Sequence, residues 1–277
     1  MIMKRIITML LFLSAMLCII ACSKKENKME NETQTTAFVL TPEFRYEKEL
    51  FEIELKSDVE YKEGLALDIR LPKGDEIKNR PAIVFVHGGG LVKGDKANES
   101  IIKNLSIDFA KRGYVTFNVN YRLGKSANAS TLEAAISDVN SAVKWISANA
   151  NAYGADSENI IVCGYSSGAE IAVNLCYSSH INNELKKKIK AIVDISGGNL
   201  YYGMDRDYAP TCLIIHGTDD TTVSYNKSEL FYGKVSEVNN KSELYPINGG
   251  SHNLDEHYET IKNKMSTFLY KELFQKE

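Results

Sequence analysis

Cysteine and histidine are scarce in this 277-residue chain, five of each, and neither sign of charge dominates it. Three of the cysteines lie beyond residue 22: Cys163, Cys176 and Cys212. Each stands in an apolar context, and no two share the close spacing that metal-binding pairs use. That removes a cysteine-based metal centre from consideration. It leaves three buried thiols acting as small hydrophobes, or one disulfide and one thiol in an oxidising compartment. Lysine and arginine number 33 against 36 aspartates and glutamates, a net charge of −3. The single basic run, Lys186-Lys187-Lys188-Ile189-Lys190, reads as the solvated end of a helix. Without a basic patch, nucleic acid is not an expected partner. Internal repeats and a second linker are lacking too. Every long apolar run is short of the ~20 residues a spanning helix needs.

What is present begins with a leader. Lys4 and Arg5 form a basic start, residues 6–20 are apolar, and the run ends at Ile19-Ile20-Ala21-Cys22 before polar Ser23-Lys24-Lys25-Glu26. A positive start, a short apolar stretch and a small residue at the break describe a secretory signal over residues 1–21. The Ile-Ile-Ala-Cys ending resembles a bacterial lipobox. That resemblance implies cleavage before Cys22, lipid attachment to its thiol, and an exported lipoprotein held at a membrane, in the periplasm or at the cell surface. An uncleaved anchor or a signal without lipid would also export the chain. Residues 22–41 are Lys, Glu, Asn and Thr with little to bury, and read as a flexible tether. Residues 42–277 are long enough for one domain.

Within that domain, residues 46–56 and 64–71 alternate apolar with charged side chains, as strands with one wetted face do. With the polar link at 57–63 they predict an antiparallel opening hairpin. Residues 82–86, 115–119, 160–163, 191–195 and 212–215 are instead almost continuously apolar, the pattern of parallel strands covered on both faces. Helical periodicity fills the gaps. Residues 100–112 place Ile101, Leu105 and Phe109 on one stripe; residues 131–149 place Leu132, Ala135, Val139, Val143 and Ile146 on another, with Asp138 and Lys144 off it. Residues 169–177, 224–238 and 255–274 also read as helices, the last two flanking a strand at 242–246. The sum is an α/β fold: a mostly parallel central sheet, antiparallel at its N-terminal side, with helices on both faces.

Gly164-Tyr165-Ser166-Ser167-Gly168 lies between the strand at 160–163 and the helix at 169–177. A serine flanked by glycines at such a junction suits a tight turn that strains the serine backbone and turns its hydroxyl outward. A free hydroxyl is a poor nucleophile, so the turn predicts a base nearby and an acid to orient it. Three further segments each end a strand or enter a loop. They are His87-Gly88-Gly89-Gly90, His216-Gly217-Thr218-Asp219-Asp220-Thr221-Thr222-Val223 and Gly249-Gly250-Ser251-His252-Asn253.

Taken in order, these four segments resemble an α/β-hydrolase, and within it the H-G-G-G carboxylesterases related to hormone-sensitive lipase and to acetyl and feruloyl esterases. The resemblance implies Ser166 as nucleophile, Asp220 as acid with Asp219 its rival, and His252 as base with His257 the competitor. It implies an oxyanion hole from the backbone N–H groups of Gly88, Gly89 and Ser167, with His87 bracing the glycine loop. It implies hydrolysis of carboxylic esters through an acyl-enzyme, with no metal and no organic cofactor. The link at residues 197–210 is too short for a large cap, so little or no cap is expected. The segment at 37–46 is the other candidate cover. Short-acyl esters, small or carried on a polysaccharide, are the substrates implied, with the tyrosines 201, 202 and 208 either packing or stacking on a sugar ring. A serine peptidase of the same fold and a non-catalytic binding lipoprotein are the alternatives.

Overall fold

The computed structural model describes residues 42–180 and 184–275. The leader at 1–21, Cys22 and the tether lie outside the described residues. Strands β1 (Ile53–Lys62) and β2 (Leu65–Pro72) pair antiparallel, and β2 pairs antiparallel with β4 (Val115–Val119). From β4 onward every pairing is parallel, through β3 (Arg80–Val86), β5 (Ala155–Tyr165), β6 (Ile189–Ile195), β7 (Thr211–Gly217) and β8 (Glu243–Ile247). Among the described residues the sheet runs β1-β2-β4-β3-β5-β6-β7-β8. This is the mostly parallel sheet with an antiparallel lead-in that the apolar runs predicted.

The continuous apolar strands feed two cores at once, because successive side chains point to opposite faces. Ala82, Val84 and Val86 join one core with α3 (Ala129–Asn149), α4 (Ser167–Tyr177) and α5 (Tyr225–Val238). Ile83 and Phe85 join the other with Tyr46 of α1 (Pro42–Glu47), α2 (Ser100–Lys111) and α6 (Tyr258–Phe274). Tyr46 packs against Tyr114 and Phe274 rather than over the mouth of the site.

Two expectations need correction. The first strand does not occupy residues 46–56, and residues 57–63 are not a hairpin loop. The chain is helical over Pro42–Glu47, and the strand runs from Ile53 through the polar residues to Lys62, which pairs with Leu65. β1 is the sheet edge, where charged side chains face water and the ladder needs no apolar alternation. A register irregularity around Asp58, whose N–H donates to Asp68 Oδ1 at 3.0 Å, absorbs the polar stretch. The second correction is Asp138, which is fully buried and not on a wetted face. Its carboxylate takes Lys62 Nζ at 2.6 Å and Arg122 Nε and Nη2 at 2.7 Å each. A buried charge that finds cations from remote segments is invisible to helical periodicity.

Between β6 and β7 no cap helix is inserted among the described residues. The link instead folds back on α4, with Ser179 N–H donating to Gly203 O at 2.7 Å and Asp205 N–H to Tyr177 O at 2.7 Å.

Candidate active site

The nucleophile candidate sits where β5 ends and α4 begins. Ser166 has φ 53° and ψ −123°. A non-glycine residue held there costs on the order of 1–3 kcal/mol, which the surroundings must offset. They do so from both sides. Ser166 N–H donates to Ile195 O at 2.8 Å, and Glu170 N–H donates to Ser166 O at 3.1 Å. The flanking glycines are demanded by close approach: a Cβ on Gly164 would run into the backbone of Gly168, and one on Gly168 into the carbonyls of Val86 and His87. The elbow is therefore pressed against the end of β3, and its sequence pattern is a steric requirement.

The acid and base candidates arrive on loops after β7 and β8. These loops are tied to one another: Thr218 N–H donates to Ile247 O at 3.0 Å, Asp219 N–H to Gly250 O at 2.9 Å, and Gly249 N–H to Thr218 Oγ1 at 2.9 Å. The junction delivers His252 Nδ1 to Asp220 Oδ2 at 2.7 Å and His252 Nε2 to Ser166 Oγ at 2.9 Å. With Nδ1 donating to the carboxylate, Nε2 is left to accept the serine proton. Asp220 Oδ1 accepts from the N–H groups of Thr222 and Val223, each at 2.8 Å. Burial pushes the Asp220 carboxyl up, but the bond from His252 and those two backbone donors outweigh it and hold the group below the usual carboxylate range. The rival Asp219 is exposed and bonded to Thr218. The competitor His257 lies in a short turn before α6.

The glycine loop is braced as the sequence reading expected. His87 Nδ1 donates to Gly88 O at 2.7 Å, and the ring stacks on Tyr121 at 4.4 Å between centroids. Tyr121 Oη donates to His87 O at 2.9 Å. At the expected oxyanion donors, the Gly88 N–H donates to Glu99 Oε2. Gly90, which the reading left out, lines the cavity beside the elbow together with Ser167. Gly89 stays on the same loop, its carbonyl accepting from Val92 and Lys93. Glu99 has no motif to announce it. It lies eleven residues past Gly88 and is brought back only by the turn between β3 and α2.

The cavity measures about 440 Å³ and is walled by Leu91, Leu132, Ala127 and Ala129, with Tyr201 and Tyr202 at one side. Its single acidic group is Glu170, one helical turn past the elbow. Burial raises the Glu170 carboxyl above its ordinary range, against hydrogen bonds from Asn199 and the Tyr201 hydroxyl that favour the ion. Tyr202 is fixed by stacking on His180 and by donating to Glu133 Oε1 at 2.7 Å. Tyr208 is directed elsewhere, its hydroxyl donating to Ile189 O at 2.7 Å.

A family model, BD-FAE, matches residues 67–206, half of the chain. The chain belongs to the BD-FAE family. The match spans the glycine loop and the elbow and ends before the acid and base loops. Among curated relatives of this BD-FAE member, the probable isoprenylcysteine alpha-carbonyl methylesterase ICME of Oryza sativa subsp. japonica is 24% identical over 232 residues, covering 67% of this chain and 54% of the relative. The bile salt-activated lipase of Mus musculus is 34% identical over 119 residues, covering 38% of this chain and 20% of the relative. The chain thus spans about half the length, or less, of the curated relatives it matches. Thermogutta terrifontis esterase 2 phosphorylated by paraoxon superposes with a TM-score of 0.65 at 22% identity, covering 81% of this chain and 96% of the other. That likeness establishes the α/β-hydrolase fold.

Proposed function

We propose that this BD-FAE member is a serine hydrolase of carboxylic esters. The observation that carries the reading is the unbroken hydrogen-bonded chain from Ser166 through His252 to Asp220. Ser166 attacks the ester carbonyl as His252 Nε2 takes its proton, and Asp220 steadies the resulting imidazolium. The negative charge developing on the carbonyl oxygen meets the N–H of Ser167 at the start of α4 and the glycine loop at Gly89 and Gly90. One such donor is worth about 3–4 kcal/mol of transition-state stabilisation. His252 then protonates the leaving alcohol, and a water activated by the same ring releases the acid from Ser166.

The cavity of about 440 Å³, mostly apolar with Glu170, Asn128 and the tyrosine hydroxyls at its wall and with no cap helix between β6 and β7 among the described residues, suits a short acyl group on a small or carbohydrate alcohol. The relatives named as esterases and the solved esterase that paraoxon phosphorylates support ester substrates in general. Export and anchoring through a lipid on Cys22 rest on the leader residues alone; loss of palmitate labelling in Cys22→Ala tests them. For the chemistry, Ser166→Ala should lose 4-nitrophenyl acetate hydrolysis and labelling by a fluorophosphonate while remaining folded. Turnover near the wild-type rate in that variant removes the reading.

A further inference from the structure

Asp220 is held by four donors: His252, the backbone N–H groups of Thr222 and Val223, and one further side chain, His216. His216 Nε2 lies 3.0 Å from Asp220 Oδ2, the same oxygen that His252 Nδ1 contacts at 2.7 Å. His216 is the penultimate residue of β7 and is completely buried. Its proton can be assigned from its neighbours. Nε2 faces two acceptors, Asp220 Oδ2 and Val223 O at 2.9 Å, so Nε2 carries the hydrogen. Nδ1 faces Ser228 Oγ at 2.6 Å, and the serine hydroxyl donates to it. Burial pushes the ring below its ordinary range, against the Val223 and Asp220 contacts. The ring is thus a neutral, fixed donor whose orientation is set by Ser228 on α5.

We propose that His216 is a positioning residue that acts through Asp220: by sharing Oδ2 with His252 it limits how firmly the carboxylate holds the His252 imidazolium, and so keeps the base available. The proposal rests on the esterase reading. An N–H donor on a carboxylate oxygen draws off negative charge and weakens the bond that the same oxygen makes to a second donor. Without His216, Asp220 is a stronger partner for a protonated His252, and the base stays protonated to higher pH. The other ionisable groups around this unit are Asp219 on the β7 loop, Tyr225 with its ring edge-on to His216, Tyr165 on β5, and Glu99 and Glu170, which both interact electrostatically with His252; Asp255 acts on Glu99. All of them remain in the variants below and are common to every curve compared.

The test uses two amides of different reach in the full chain. The nitrogen of His216→Gln can occupy the position of Nε2 and still donate to Asp220. That of His216→Asn overlays Nδ1, where it donates to Ser228 Oγ in a reversed bond, and loses Asp220. The readout is kcat/KM for 4-nitrophenyl acetate across the acid limb, normalised to active sites counted with a fluorophosphonate. His216→Asn should move the midpoint of that limb up by about half to one pH unit, and His216→Gln should follow the wild type. If His216→Asn does not fold, His216→Leu with Ser228→Ala leaves no orphaned hydroxyl and carries the same expectation. An unmoved limb in the variant lacking the donor, or a shift in His216→Gln as large as in His216→Asn, overturns the proposal and leaves the esterase reading standing. A folded wild type with no ester turnover removes both.

Discussion

Tyr165 donates its hydroxyl to the backbone carbonyl of His252 at 2.8 Å. Tyr165 is the residue before the nucleophile, so one hydrogen bond ties the elbow to the base loop, and its ring lies 5.5 Å from the His252 imidazole. The Ser166 to His252 distance depends on two loops that share no covalent neighbour, and this tie is one of the few bonds that cross between them. Tyr165→Phe keeps the ring and removes the tie. With about 1 kcal/mol at stake, kcat on 4-nitrophenyl acetate should fall about five-fold, with KM and melting temperature little changed. Equal kcat in the two proteins would show that the base loop is held without it.

The glycine at 168 makes a different kind of prediction. A methyl group there meets the carbonyl oxygens of Val86 and His87, both backbone atoms that cannot rotate away. Gly168→Ala should therefore lose stability by about 3 kcal/mol as well as activity. The urea midpoint measures it; an unchanged midpoint means that the elbow and β3 are not in the contact described.

Glu170 is the one acidic side chain on the cavity wall among the described residues, and Leu91 and Leu132 stand with it. Glu170→Leu removes a polar carboxyl that apolar acyl chains must avoid. At about 0.8 kcal/mol per buried methylene, the ratio of kcat/KM for butyryl over acetyl esters should rise by up to about ten-fold. A ratio that stays flat across an acyl series places the acyl chain away from this wall.

Asp194 sits in β6 under the elbow, with no exposure and one carboxyl oxygen unpartnered. Oδ1 accepts from Gly197 N–H at 2.9 Å. Burial drives its carboxyl up to about 7, against the backbone donors of Gly197 and Gly198. The folded protein thus holds a proton that the unfolded chain releases near pH 4. Between those values the native state binds more protons, so stability must fall as pH rises. Asp194→Asn cannot ionise. The stability difference between wild type and variant should therefore drift against the wild type from about pH 4 to pH 7, by a few kcal/mol at most, and level off above. Parallel denaturation curves over that window would mean that Asp194 is ionised throughout.

Much of this arrangement was legible in the chain itself. The ends of β3, β5 and β7 that lead into the site read as continuous apolar runs, because burial on both faces leaves no wetted side to produce alternation. Gly164 and Gly168 are legible because their spacing is dictated by atoms within a few residues of the turn. β1 was not, since an edge strand takes polar residues and its pairing with β2 comes from register. Glu99 carries no local signature, and the contacts that Tyr165 and His216 make are not legible from the motifs they stand in. Each acts by reaching a group on another segment.

By itself the sequence determined the order of the parallel strands and the helices between them and the glycine-flanked serine turn, all being consequences of short-range sterics and burial. Only the tertiary structure separates neighbours: it sets Asp220 against His252 and leaves Asp219 exposed, and it puts Gly90 on the cavity wall. Adjacent residues share composition and context, and differ only in where the packed chain points them. The Asp219 amide is taken by Gly250, which leaves Asp220 turned inward to His252, and the Gly88 amide meets Glu99. Those are contacts between distant parts of the chain, and they exist only once the sheet has brought the loops to one edge.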